Sequence, residues 1–132
     1  MHLPDEAPET RARHVAEEFL AIHLYLPLVV HREDWLLGLD GVALLRKLLY
    51  ELDLEESGRI PATSRADWSG RLTAEPRDEI LALPTGEATR AGVVEGHRAV
   101  RDAFCQRRRR VLGGDWPVAM ERTVVDHVDV RV

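Results

Sequence analysis

Acidic side chains that could bind a ligand are concentrated near the end of a predicted helix in the first half of the chain. They form one cluster: Glu51, Asp53, Glu55 and Glu56. Carboxylates at a helix C-terminus add to its partial negative charge and cost about 0.3–1 kcal/mol each when exposed. Such a locally unfavourable arrangement indicates a pocket wall for a cationic substrate. The alternative is a solvated helix face whose charge is offset by nearby Arg46, Lys47 and Arg59.

The three tryptophans supply a second candidate feature, because each follows an aspartate: Asp34-Trp35, Asp67-Trp68 and Asp115-Trp116. An Asp that caps a helix, followed by an aromatic ring that packs, explains each pair structurally. For Asp34-Trp35 the alternative is a ring that stacks on a ligand beside a carboxylate that binds its hydroxyl or ammonium group. The predicted substrate-binding residues are therefore Asp34, Trp35, Asp40, Glu51, Glu55 and Glu56.

The other reactive residue types do not form a catalytic or metal-ligating pattern. The histidines lack metal-ligand spacing, and the single cysteine, Cys105, cannot complete a zinc set or an internal disulfide. His97 falls on an apolar helix face, which is typical of a core histidine. We predict no catalytic residue, no metal site and no cofactor in this chain.

Basic residues suggest two further interpretations. The run Arg107–Arg110 could contact RNA or phosphate. It lies near a predicted helix C-terminus, where cations are favourable, and the net charge of −5 argues against a nucleic-acid partner, so we predict a structural role. The segment from Arg122 to His127 resembles the Arg-x₄-His motif of HEPN-type helical ribonucleases. In that alternative, His127 would be the general acid/base and Arg122 would stabilise the transition state.

Periodic apolar residues predict the helices that position these side chains. One helix begins near Thr10 and ends or kinks at Pro27. The next begins at Asp40 or Gly41, with Leu44 and Leu48 widening its stripe, and Gly58 predicted as its C-terminal cap. Its buried stripe is Val42, Leu45, Leu49 and Leu52.

The second half predicts three more helices, separated from the first two by a loop over residues 58–72. Thr73 caps the first of them, Thr85 caps a long one that ends at Gly113-Gly114, and Asp115 caps the last. Residues 1–8 form a loose acidic tail, and residues 9–132 form one domain, an all-α bundle of four to five antiparallel helices. The N-terminus lacks the pattern of a signal peptide, the longest apolar run is too short to span a bilayer, and a lone cysteine favours the cytoplasm.

Several segments together carry a family resemblance that covers roughly residues 15–130. They are the run from Tyr25 to Gly58, the Trp-Ser-Gly-Arg-Leu-Thr segment at 68–73, Leu-Pro-Thr-Gly-Glu-Ala-Thr-Arg at 83–90, and Gly-Asp-Trp-Pro at 114–117. The chain resembles the helical C-terminal domain of bacterial antibiotic nucleotidyltransferases of the aminoglycoside and lincosamide type. That resemblance implies a domain that shapes an antibiotic pocket.

The same resemblance implies that nucleotide chemistry lies outside this chain. The family binds ATP and magnesium in a separate α/β domain, through a Gly-Ser turn and an Asp-x-Asp pair. Ser69-Gly70 has the reverse order here, and Asp126 and Asp129 are three residues apart on a predicted helix. The expected partners are a cationic small molecule and a nucleotidyltransferase domain. The chain would be a separated domain, a truncated product or an accessory subunit. The alternative, which the segment from Arg122 to His127 suggests, is a HEPN-like helical interaction module or ribonuclease that pairs with a minimal nucleotidyltransferase.

Overall fold

The computed structural model describes residues 8–56, 70, 72–111 and 116–132, with their side chains except at 8–10, 55, 56 and 108–111. Within these ranges there are helices and no strand, which confirms the predicted all-α bundle. The predicted tail lies outside the described residues apart from Pro8, where the first helix begins. The helices are α1 (Pro8–His23), α2 (Leu26–Arg32), α3 (Trp35–Glu56), α4 (Ala74–Ala82), α5 (Arg90–Val111) and α6 (Val118–Arg131).

The apolar stripe of α3 forms the centre of the core. Its predicted members are all fully buried: Val42, Leu45, Leu49 and Leu52. They pack between α1 and α5, where the rings of Phe19 and Phe104 stack with centroids 3.9 Å apart. Burying an aliphatic side chain of this size stabilises a fold by about 1.5–3 kcal/mol, so this stripe fixes which face of α3 points inward.

Small residues bring α3 and α5 close together. A Cβ atom added to Gly38 would lie 2.7 Å from Cγ1 of Val93, and one added to Gly96 would lie 3.0 Å from Cγ2 of Val42. Each glycine therefore faces a valine on the opposite helix at a distance that leaves no room for a methyl group. This close approach makes the contact between α3 and α5 the most extensive in the bundle.

Pro27 was expected to end or kink the first helix, and the structure shows a different role. Helix α1 ends at His23, and a short separate helix, α2, begins at Leu26 with Pro27 in its first turn. A proline is tolerated there because the N–H groups of a first turn have no partner within the helix. The sequence analysis did not predict α2.

Two other predicted helix starts are wrong by about one turn. Helix α3 begins at Trp35 rather than at Asp40 or Gly41, and Oδ1 of Asp34 accepts a hydrogen bond from the Leu37 amide at 3.2 Å. Helix α5 begins at Arg90, where Oγ1 of Thr89 accepts from the Gly92 amide at 3.0 Å. Thr85 was predicted for that capping role, but it lies upstream, in the segment between α4 and α5 that has no regular secondary structure.

The last predicted helix is confirmed as α6. It buries Val124 and Val128, whereas Val118 is 48% exposed. Trp116 precedes the helix and is buried beside Phe104 at a centroid distance of 5.3 Å, which confirms its predicted structural role. The predicted caps at Gly58, Gly113-Gly114 and Asp115, and most of the loop 58–72, lie outside the described residues.

Helix α4 differs from the other helices in having no buried residue. It packs on α3 through the partly buried Ile80, while Leu81 remains 66% exposed. Thr73 precedes its first residue, as predicted, but makes no side-chain capping hydrogen bond. A helix attached in this way leaves a space between itself and α3.

Candidate functional site

An open groove of about 500 Å³ lies between α3 and α4. Its apolar lining is formed by Ala43, Leu44, Tyr50, Leu72, Ile80 and Leu81. Ligand sites for small molecules are commonly clefts of about 300–1,000 Å³ with an apolar lining and a few polar groups. The groove has that size and that lining.

Charged residues complete the lining, with three cations and one carboxylate: Asp40, Arg46, Lys47 and Arg77. Their ion pairs with neighbouring residues are long. Nζ of Lys47 lies 3.9 Å from Oε1 of Glu51, and Nε of Arg77 lies 3.7 Å from Oδ1 of Asp78. Nε of Arg46 is buried and has no hydrogen-bond partner. The charges of Lys47 and Arg77 are therefore available to a ligand, because exposed ion pairs at such distances contribute little to stability.

The predicted substrate-binding residues do not converge on this groove, with one exception. Asp40 lines it, whereas Asp34 caps α3 and Trp35 is half-buried against the apolar cluster of α2, α5 and α6. Glu51 lies three helical turns beyond Asp40, about 16 Å along the axis, and its Oε1 lies 3.9 Å from Nζ of the groove residue Lys47. The side chains of the other two predicted residues, Glu55 and Glu56, lie outside those described.

Asp53, the remaining member of the acidic cluster, is a core residue. Its carboxylate accepts a hydrogen bond from Nε of Arg107 at 2.6 Å, and both side chains are 1% exposed. Arg107 also donates to Oε2 of Glu79 at 2.6 Å and to the Ala103 carbonyl at 2.8 Å. The basic run was predicted to be structural, and Arg107 is structural for a different reason, since it joins α3, α4 and α5.

A second polar cluster connects α1, α5 and α6 inside the bundle. Nδ1 of His23 lies 3.3 Å from Nδ1 of His97, and Nη1 of Arg101 lies 3.4 Å from Nε2 of His23. Nη1 of Arg101 also donates to Oδ1 of Asp129 at 2.8 Å, and Arg98 contacts the same oxygen at 3.4 Å. The sequence analysis expected His97 to be in the core, but it did not predict this cluster.

The hydrogen bonds of this cluster fix which ring nitrogens carry protons. Arginine only donates, so Nε2 of His23 accepts, and its Nδ1 carries the proton that His97 Nδ1 receives. His97 then carries its own proton on Nε2, which has no hydrogen-bond partner and faces the backbone of Gly41. Both rings are therefore neutral.

Burial keeps these imidazoles neutral well below pH 6.5, the ordinary pKa of histidine. Burial, together with the smaller effects of His97 and Arg101, lowers the pKa of His23 from 6.5 to about 3, and burial lowers the pKa of His97 to about 4. Although burial opposes it, the hydrogen bond and charge of Arg101 hold the pKa of Asp129 below its usual value. The two imidazoles and Arg101 are buried, while Asp129 closes the cluster from the partly exposed side of α6, so the cluster holds the three helices together.

The alternative ribonuclease motif, Arg122 to His127, lies on α6 and stays a prediction. Arg122 is exposed and His127 is half-buried, and a spacing of five residues places them about 140° apart around the helix axis. Asp126 is exposed, and Asp129 is bound by Arg101. Among the residues that the structure describes, no group of three or more His, Cys, Asp or Glu side chains could hold a metal ion.

Comparisons of the chain with protein-family models, curated proteins and solved structures find no match. Within the described ranges, none of the helices combines the length and apolar character needed to cross a bilayer. The candidate site therefore rests on the geometry of the groove. Arg46, Tyr50 and Arg77 were missed as site residues because α4 is distant from α3 in the sequence, and only the fold brings the two helices together to form the groove.

Proposed function

We propose that this chain is the substrate-side helical domain of an antibiotic nucleotidyltransferase-like protein. It binds a small amphipathic molecule in the groove between α3 and α4, and a separate domain supplies ATP, magnesium and catalysis. Three features support this proposal: the resemblance over residues 15–130, the helical architecture, and a groove of ligand size beside Asp40. A cytoplasmic location and a nucleotidyltransferase domain as partner belong to the same proposal.

The groove is the single observation that carries this function. Its exposed leucines, Leu44 at 40% and Leu81 at 66%, lie on facing walls. Covering them with an apolar ligand is favourable by about 25 cal/mol per Å² of buried apolar surface. Asp40 is exposed and makes no ion pair with another described residue, so it can accept a ligand ammonium group.

The charge of the groove narrows the substrate class. Three cations and one carboxylate line it, and like charges repel a polycation at these distances. An antibiotic with a single amine and a large apolar surface, as in lincosamides, therefore fits better than an aminoglycoside with several ammonium groups. The groove therefore differs from the acidic pocket wall expected from the sequence, because cations outnumber carboxylates in its lining.

Titration of the ¹⁵N-labelled chain with lincomycin, and separately with kanamycin, tests the proposal by NMR. We expect lincomycin to shift the amide signals of residues 40–50 and 77–81, and to bind more tightly than kanamycin. Asp40→Asn should weaken lincomycin binding by about fivefold, the effect of losing one partly exposed charged hydrogen bond. Asp126→Asn is the matched control, because Asp126 is exposed on α6.

Two results would contradict the proposal. One is a binding result: neither antibiotic binds, or Asp40→Asn and Asp126→Asn weaken lincomycin binding equally. The other is magnesium-dependent adenylyl transfer by this chain alone, because the proposal assigns that reaction to a separate domain.

A further inference from the structure

We infer that the groove between α3 and α4 takes a zwitterionic amphiphile: an apolar body with an amine at Asp40 and a carboxylate at Arg46 and Arg77. This inference rests on the proposed function, which makes the groove a substrate site, and adds a subsite for an anionic group that an amine-bearing ligand without a carboxylate leaves empty. The proposed function requires only the amine and the apolar body.

Arg46 carries the argument for the anion. Its side chain is half-buried on α3, it lines the groove, and its Nε atom is buried without a hydrogen-bond partner. Because the protein encloses Nε, a ligand in the groove would reach the terminal nitrogens of the guanidinium rather than Nε. A ligand carboxylate would accept hydrogen bonds from these terminal nitrogens.

Arg77 presents a second guanidinium from the opposite wall. Its contact with Asp78 is 3.7 Å, between side chains that are 38% and 71% exposed. By contrast, Arg107 and Arg101 hold their carboxylates at 2.6 Å and 2.8 Å. The groove arginines therefore differ from the core arginines, which already have short contacts with carboxylates.

The apolar floor separates the two charged ends. Leu44, Ile80 and Leu81 lie between the helices, and Asp40 precedes Arg46 by six residues, or about 9 Å along the axis of α3. A ligand that contacts both ends needs an apolar spacer of similar length. Such a molecule satisfies the carboxylate and the guanidinium groups without bringing its own charges together.

Three eight-carbon probes isolate each contribution: octylamine, octanoate and 8-aminooctanoate. We expect all three to shift groove amide signals in NMR titrations, with 8-aminooctanoate binding most tightly. Arg46→Gln and Arg77→Gln should each weaken octanoate binding by about fivefold, and raised salt should weaken it further. Octylamine binding should respond to Asp40→Asn and not to the arginine changes. Arg13→Gln is the control, because Arg13 is exposed on α1 and pairs with Glu17.

The outcomes separate the two proposals. If octanoate does not bind, or binds equally well to Arg46→Gln, Arg77→Gln and Arg13→Gln, the anion site is wrong, while octylamine binding that depends on Asp40 would still support the proposed function. If octanoate binds through the arginines and neither octylamine nor lincomycin binds, the proposed amine site is wrong. Arg77→Gln lies on an exposed helix and keeps the test valid if Arg46→Gln does not fold.

Discussion

Arg107 has the largest structural role of any single charged residue in the described part of the chain. It is 1% exposed and donates to Asp53 on α3, Glu79 on α4 and the Ala103 carbonyl on its own helix. A buried ion pair adds little net stability because both charges lose their hydration. Removing only one partner is costly because the other charge stays buried.

Replacing Arg107 with methionine should therefore lower the free energy of unfolding by about 3–5 kcal/mol. Urea denaturation followed by circular dichroism measures this change. The double variant Arg107→Met, Asp53→Leu should recover much of the loss, since it removes both charges. Equal stabilities of Arg107→Met and the wild type would show that the pair is not formed in solution.

At the scale of the elements, the contact between α3 and α5 depends on small residues. Gly38 is the fourth residue of α3, and a glycine in a helix costs up to about 1 kcal/mol relative to alanine. Its hypothetical Cβ would lie 2.7 Å and 2.9 Å from the two γ-carbons of Val93 and 3.2 Å from Cγ1 of Val29. Overpacking of this kind costs about 1–3 kcal/mol, so packing outweighs helix propensity.

We expect Gly38→Ala to lower the free energy of unfolding by about 1 kcal/mol, the balance of these two effects. Adding Val93→Ala should make the Gly38→Ala substitution less costly, because the two side chains compete for the same space. Urea denaturation of the two single variants and the double variant measures this coupling. An increase in stability for Gly38→Ala alone would contradict the close approach of the two helices.

The buried stripe of α3 shows how far the sequence alone predicts the packing of a helix. Val42, Leu45, Leu49 and Leu52 were predicted to be buried and are buried, because a helical period alone selects one face. Leu44 was predicted to widen that stripe but is 40% exposed in the groove. The width of a buried stripe depends on which helices cover it, and that information lies in other parts of the chain.

The candidate site follows the same distinction between local and distant information. Asp40 was identified from its place in α3, whereas Arg46 and Arg77 were not recognised as its neighbours in one groove. The partner of Asp53 lies 54 residues away, at a separation that no local pattern reports. In the sequence, the acidic residues form one cluster, but the structure separates them. Asp53 is a core residue and Glu51 forms a surface ion pair, while the side chains of Glu55 and Glu56 lie outside those described.

For the whole molecule, the cluster of His23, His97, Arg101 and Asp129, which joins three helices, makes the free energy of unfolding depend on pH. The folded chain keeps both imidazoles neutral down to pKa values of about 3 and 4, whereas the unfolded chain protonates them near the ordinary value of 6.5. The unfolded state therefore binds more protons below pH 6.5. The stability that this difference supplies is complete above pH 6.5 and is lost as the pH falls towards 4.

We expect the free energy of unfolding to fall between pH 6.5 and pH 4 by up to about 1.4 kcal/mol per pH unit for each imidazole. Urea denaturation at several pH values measures the slope. The double variant His23→Leu, His97→Leu should have a smaller slope, and His31→Gln, exposed on α2, should leave it unchanged. A wild-type slope no larger than that of the double variant would contradict the buried, neutral histidines.

The uneven attachment of α4 also has a consequence for how a ligand would enter the groove. One wall, α3, is anchored by the core, while α4 has no buried residue and is tied to α5 through Glu79 and Arg107. Local opening takes less free energy where few apolar contacts must separate. We therefore expect helix α4 to open and close as a unit while the remaining helices stay folded. A ligand could then enter the groove without global unfolding of the domain.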